Sequence, residues 1–267
     1  MQSQPPVEFT DEIKSLFVEK KLSQARQRLL ETLNNQWDGH CNLIAFTYLY
    51  IENRNADDCT KALEWLEKGV LANEVDAKVI LGRLLVSGEL GVQNFSRGIN
   101  LLEQAAQANV LMAVLTLMQI YKGGVDGHLD ANPHLTRQYM KQAADLGDPN
   151  SAYHLALELE RESTPDLAQA FRYFDKAAQG GLSQAMHNVG VYYLHGKGVS
   201  KSSPLALAYF TEAAKLGSPL SMMSSINSLA SARMRSSSLS TPCGLTIGST
   251  MLRYLRCSGG STSIGMK

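Results

Sequence analysis

Five helix-ending residues recur down the chain at nearly one interval: Asn73, Asn109, Gly147, Gly181 and Gly217, spaced 36, 38, 34 and 36 residues apart. Gly and Asn are the residue types that best tolerate the left-handed conformation just past a helix C-terminus. Punctuation at a period of 34–38 residues predicts an all-α array of helical repeats rather than an enzyme core.

The residues ahead of each stop repeat too. A small pair begins four residues upstream: Gly69-Val70, Ala105-Ala106, Ala143-Ala144, Ala177-Ala178 and Ala213-Ala214. Four residues earlier stands a large pair: Trp65-Leu66, Leu101-Leu102, Tyr139-Met140, Tyr173-Phe174 and Tyr209-Phe210. This spacing puts both pairs on one helical stripe, with bulky side chains filling a core and alanines allowing a neighbour to approach. That segment is the second helix of each unit. Pro133, Pro165 and Pro204, preceded by Asn132, Thr164 and Ser203, mark three of its starts.

After each stop a first helix of the next unit begins, with Ala77, Ala113, Ser151 and Ala185 four residues on. Leu81-Gly82, Leu117-Met118, Leu155-Ala156 and Val189-Gly190 follow, then Leu85, Tyr121, Leu159 and Tyr193, again one apolar stripe. A weaker copy runs from Cys41 through Ala45-Phe46 to Leu49. Only the loop joining the two helices varies in length, the part of a repeat most tolerant of change.

At these residues the chain resembles the Sel-1-like repeat proteins, cousins of the tetratricopeptide repeat. Unit 185–217 matches the family pattern at Ala185, Gly190, Tyr193, Gly196, Gly198, Val199, Tyr209, Phe210, Ala213, Ala214 and Gly217. Units 77–109 and 113–147 match less fully, 151–181 has RESTPD in place of the Gly-x-Gly loop, and 41–73 keeps only the helix pair. The resemblance covers about residues 37–217. It implies a right-handed α-solenoid of about five units that serves as an adaptor in protein complexes. Some cysteine-rich relatives are described as binding or cleaving β-lactams, but this chain has no Ser-x-x-Lys and no repeat-by-repeat cysteine pairing.

The chain carries 25 basic and 25 acidic residues, yet no Asp or Glu follows Glu212. Residues 218–267 hold Arg233, Arg235, Arg253, Arg256 and Lys267, so residues 1–217 carry a net charge of −5. An acidic body argues against nucleic acid as the main partner. No run approaches the ~18–20 apolar residues that a membrane span needs. The N-terminus has neither the basic nor the apolar region of a secretory signal. With Cys41, Cys59, Cys243 and Cys257 scattered, reduced thiols and a cytoplasmic location are expected.

The ends differ from the middle. Residues 1–36 read as an N-terminal helical cap or divergent repeat, with Phe9, Ile13, Leu16 and Phe17 on one stripe and Leu22, Ala25, Leu29, Leu30 and Leu33 on another. The array occupies 37–217. Residues 218–267 form an atypical tail with fourteen serines; it begins as another helix would and then loses the pattern. Two readings stand: a disordered interacting tail with one capping helix near 221–235, or a normal terminus replaced by unrelated sequence, as after a frameshift.

Signatures of chemistry are sparse. GxSxG, a P-loop, HExxH and CxxC are all missing. Asp126, His128, Asp130 and His134 share the longest loop and could be metal ligands, but turn geometry accounts for them as well. No cofactor is expected.

Binding is expected on the first-helix face, taken as the concave side. Positions five and two residues before, and two and five after, Leu81, Leu117, Leu155 and Val189 point toward a groove. Asp76 falls in this set, and the candidate binding residues are Arg83, Gln119, Lys122, Asn150, Tyr153, Glu160, Gln184 and His187, with Tyr153 and Arg83 as anchors. The apolar members include Leu115 and Leu157. Such a mixture suits a protein or peptide segment. The expectation is a non-catalytic scaffold. Alternatives are a secreted or host-directed interaction protein using the same surface, and a β-lactam-binding hydrolase.

Overall fold

The structure, a computed structural model, describes residues 7–33 and 40–217. The tail from 218 onward, with the capping helix expected near 221–235 and the serine-rich stretch, lies outside the described residues. Twelve helices and no strand occur among the described residues. A leading pair, α1 (Val7–Val18) and α2 (Leu22–Leu33), precedes five hairpins. These are α3 (Cys41–Leu49) with α4 (Ala56–Leu71), α5 (Val75–Ser87) with α6 (Phe95–Gln107), and α7 (Leu111–Gly123) with α8 (Pro133–Asp145). The last two are α9 (Pro149–Arg161) with α10 (Leu167–Gln179) and α11 (Ser183–His195) with α12 (Ser203–Lys215). Each helix packs on its neighbours in sequence, as stacked hairpins require.

All five periodic stops have positive φ: 61° at Asn73, 60° at Asn109, 97° at Gly147, 89° at Gly181 and 83° at Gly217. The conformation ends α4, α6, α8 and α10 in a Schellman motif, and Gly217 N–H makes the first of the motif's two bonds after α12. Asn109 N–H donates to the Ala106 carbonyl at 2.9 Å and Val110 N–H to Ala105 at 3.1 Å. The same bonds link Gly181 and Leu182 to Ala178 and Ala177, at 2.9 and 3.2 Å. The small pair is therefore fixed to the stop twice over. Its carbonyls close the helix end, and its side chains, fully buried at Ala105, Ala143, Ala177 and Ala213, let the next helix in.

In each large pair the second member is buried, at Leu66, Leu102, Met140, Phe174 and Phe210, and Leu101 and Tyr173 join the core from the first position. The first-helix stripe is buried at Ala77, Ala113, Ser151 and Ala185, and at Leu81, Leu117, Leu155 and Val189. At the third position the last unit buries Tyr192, whereas Tyr193 is only half-buried and stacks on Tyr209 at 5.8 Å. Asn132 caps α8 as expected, with Pro133 in the first turn. The caps of α10 and α12 are Asp166 and Ser202 rather than Thr164 and Ser203. In the leading pair, Ile13, Ala25 and Leu29 are buried, while the side chains of Phe9 and Leu33 lie outside the described residues.

Polar links tie each second helix to the next. Arg97 grips Glu67 with two bonds, at 2.7 and 2.5 Å. Gln142 donates to the Ala106 carbonyl at 2.8 Å. Tyr173 and Lys176 both reach Asp145, at 3.3 and 3.0 Å, and Tyr209 donates to Asp175 at 3.1 Å. Burial opposes the charge on Asp145, yet its bonds to Lys176 and Lys141 hold the carboxyl below its ordinary range. In the first-helix layer the Glu74 carboxylate accepts from the Cys41 and Asn42 amides, both at 3.1 Å. The N-terminus of α3 is thus capped by the unit that follows it.

Candidate functional site

Successive first helices touch directly from α3 to α5 and from α5 to α7. Among the described residues α7 and α9 approach less closely than these pairs, as do α9 and α11. A cleft of about 720 Å³ lies between α7 and α9, floored by α8. Its apolar lining comes from Leu115 and Met118 of α7, Met140 of α8 and Leu157 of α9. Between the two helices the Ser151 hydroxyl makes a long, weak bond to the Met118 sulfur at 3.9 Å, and Met118 packs against the α9–α10 core.

The polar lining is unequal at the two ends. Asp148 and Asn150 stand at the start of α9, where the Asp148 carboxylate accepts from Ser151 N–H at 2.7 Å as the helix cap. Lys122 and Arg161 stand in the last turns of α7 and α9, which run parallel because each is separated by one antiparallel helix. Both cations complement a helix C-terminus. Neither has a carboxylate in ion-pair range among the described residues. Arg137, at the same rim, faces Glu158 at 4.0 Å and bonds to Glu162, so its charge is already met.

Of the eight residues singled out from sequence, the cleft gathers Lys122 and Asn150, together with the apolar Leu115 and Leu157 of the same offset pattern. Arg83, Gln119 and Gln184 are exposed on their helices outside it. Three others face their own array. The half-buried Tyr153 ring meets Phe174 edge-on at 5.8 Å. Glu160 pairs with Lys197 at 3.3 Å. Burial, aided by the Glu160 charge, pushes the Tyr192 phenol well above its ordinary value. His187 lies half-buried 5.3 Å from the Phe210 ring, and burial lowers its pKa.

Met118, Arg137, His154 and Arg161 also line the cleft. The offset pattern passes over Arg161 by one residue, and it takes no account of second helices such as the one carrying Arg137. In the 124–132 loop, an isolated bridge joins Val125 to Leu129. His128 stacks on Phe95 at 5.2 Å, and Asp126 and Asp130 are exposed. Among the described residues no three His, Cys, Asp or Glu side chains are grouped to hold a metal. No described helix is long and apolar enough to cross a membrane.

Stacked helical hairpins closed by left-handed stops define an α-solenoid repeat protein. The Sel1 repeat pattern matches at residues 55–73, 75–110, 111–148, 149–182 and 183–218, and the chain belongs to that family. Among solved structures it is similar to the Sel1 repeat protein from Oxalobacter formigenes, with TM-score 0.53 and 22% identity over 79% of this chain and 86% of that one. It is also similar to c5321, a protective antigen of uropathogenic Escherichia coli displaying an SLR fold, with TM-score 0.54 and 20% identity over 75% of this chain and 43% of that one. Both likenesses concern the fold.

Among curated proteins, the chitin synthase regulator SKT5 of Saccharomyces cerevisiae is 29% identical over 161 residues, which are 57% of this chain and 23% of that protein. The DAP3-binding cell death enhancer 1 of Rattus norvegicus is 25% identical over 174 residues, 65% of this chain and 34% of that protein. The matches thus span only 23% and 34% of these relatives' own length.

Proposed function

We propose that this chain is a non-catalytic scaffold that holds a protein segment along its first-helix face, centred on the cleft between α7 and α9. The cleft carries the reading: it is open, lined by four apolar side chains and edged by two cations with no partner among the described residues. The direct contacts of α3 with α5 and α5 with α7 support this choice of face for the first part of the array, and the cleft opens where that close approach ends. In a curved stack, the layer whose members come closest lies inside the bend, where an extended partner touches several units at once. The names of two relatives, a regulator and a binding protein, accord with this role. The helices are packed before any partner arrives, so little ordering cost is left for binding.

Photocrosslinking tests the proposal. A benzophenone side chain is placed at Asn150 in the full chain, and for comparison at Gln104 or Arg172 on second helices. The expected result is a discrete protein adduct from Asn150 alone. Equal adducts from all three positions, or adducts only from the second helices, refute the assignment.

A further inference from the structure

We infer that the segment held in this cleft is acidic and apolar, and that its carboxylates are seated at the rim formed by Lys122 and Arg161. The inference rests on the proposal that the cleft is the binding site and adds the chemistry of the occupant. Three observations converge on it.

First, the charges at this rim are uneven in their neutralisation. Arg137 is occupied by Glu158 and Glu162, and Asp148 by its helix cap. That leaves Lys122 and Arg161 as the cations free to receive an outside anion among the described residues lining the cleft. Second, the two belong to the final turns of parallel helices on opposite walls, so both address the same end of whatever lies between. Third, the surrounding body is acidic, with a net charge of −5 over residues 1–217. The net negative charge disfavours an acidic segment on the body as a whole, so Lys122 and Arg161, set apart from the Arg137 pairs with Glu158 and Glu162, select where it sits and in which direction. Leu115, Met118, Met140 and Leu157 then take its apolar side chains. A basic segment would leave both rim cations facing like charge, and a purely apolar one would leave them desolvated without a partner.

The test uses three short fluorescent peptides of equal length and one leucine pattern, with Glu, Gln or Lys at the remaining positions. Anisotropy is read on the intact chain, on Lys122→Glu/Arg161→Glu, and on Arg172→Glu/Lys201→Glu, which changes the net charge equally at exposed sites elsewhere. Circular dichroism verifies that all three fold alike, and Lys122→Arg serves as the conservative variant. The Glu peptide is expected to bind the intact chain and Lys122→Arg best. It should lose about tenfold in affinity to the rim double variant, with little loss to the control, and weaken as salt shortens the Debye length below about 10 Å. Equal binding to rim and control variants, or preference for the Lys or Gln peptide, overturns the inference. If those results accompany a specific Asn150 crosslink, the cleft stands as the binding site and only its acidic specificity falls.

Discussion

The Tyr209 hydroxyl donates to the Asp175 carboxylate at 3.1 Å, joining α12 to α10 across a repeat boundary. Tyr173 does the same toward Asp145 at 3.3 Å. At Tyr173 and Tyr209 the first residue of the large pair thus adds a tie to the unit before, while the second fills the core of its own unit; Tyr139 instead stacks on Tyr121 of its own hairpin. Tyr209→Phe removes the bond and keeps the ring. It should lower stability by about 0.5–1.5 kcal/mol, read as a shift in urea midpoint, with hydrogen-exchange protection lost mainly in α12.

Burial, reinforced by Asp175, pushes the Tyr209 phenol up to about 12, and burial with Glu103 does the same for Tyr121. A folded-state pKa above the unfolded value means that the neutral phenol is the form the fold favours. Its contribution is complete below pH 10 and disappears as pH rises from about 10 to about 12. Stability should therefore fall steeply over that window, and less steeply in a Tyr121→Phe/Tyr209→Phe variant. Identical slopes in thermal melts taken across the window would contradict the assignment.

Gly190 sits under the fully buried Phe210 ring, and a Cβ there would lie 2.6 Å from it. Alanine is the better helix former by about 1 kcal/mol, so propensity alone favours Gly190→Ala. The ring is fully buried and must shift to admit the methyl group, and overpacking of about 1–3 kcal/mol should win. Adding Phe210→Leu should recover part of the loss. A double-mutant cycle with no coupling between the two sites would show that the contact is not the cause.

At Gly181 a Cβ would meet nothing within 4 Å, but φ is +89°. Gly181→Ala therefore isolates the backbone cost of the stop, about 1–2 kcal/mol, and Gly181→Asn should cost less. Equal midpoints for Gly, Ala and Asn would remove the left-handed conformation as the reason for the periodic residue.

Glu74 caps α3 from the following unit through two amide bonds. Glu74→Ala should cost about 1–3 kcal/mol and loosen α3 and α4 before the later units. Unchanged exchange in α3 would mean that the cap carries no weight.

The helix ends and core stripes were legible because they are local. A left-handed residue, the small pair four positions earlier and the large pair before it all follow from one helix's geometry, so one period describes every unit. The cleft was not legible. Its existence depends on how far α7 and α9 stand apart, which is set by side chains summed across a boundary rather than by either helix. Offsets from Leu117 and Leu155 found Lys122, Asn150, Leu115 and Leu157, since these belong to first-helix faces. The same offsets gave Tyr153 the part of an anchor, but a ring long enough to cross the interface turned inward onto Phe174. Tyr192 and Tyr193 were exchanged for a related reason: adjacent tyrosines offer two faces about 100° apart, and packing against α10 decides between them.

Hydrogen exchange on the intact chain, with and without the protein captured through Asn150, tests the scaffold reading most directly. Slowed exchange in α7 and α9, centred on residues 115–122 and 150–161, with the exposed faces of α6, α10 and α12 unchanged, is the predicted result. Protection confined to those second helices, with α7 and α9 exchanging as before, would contradict it.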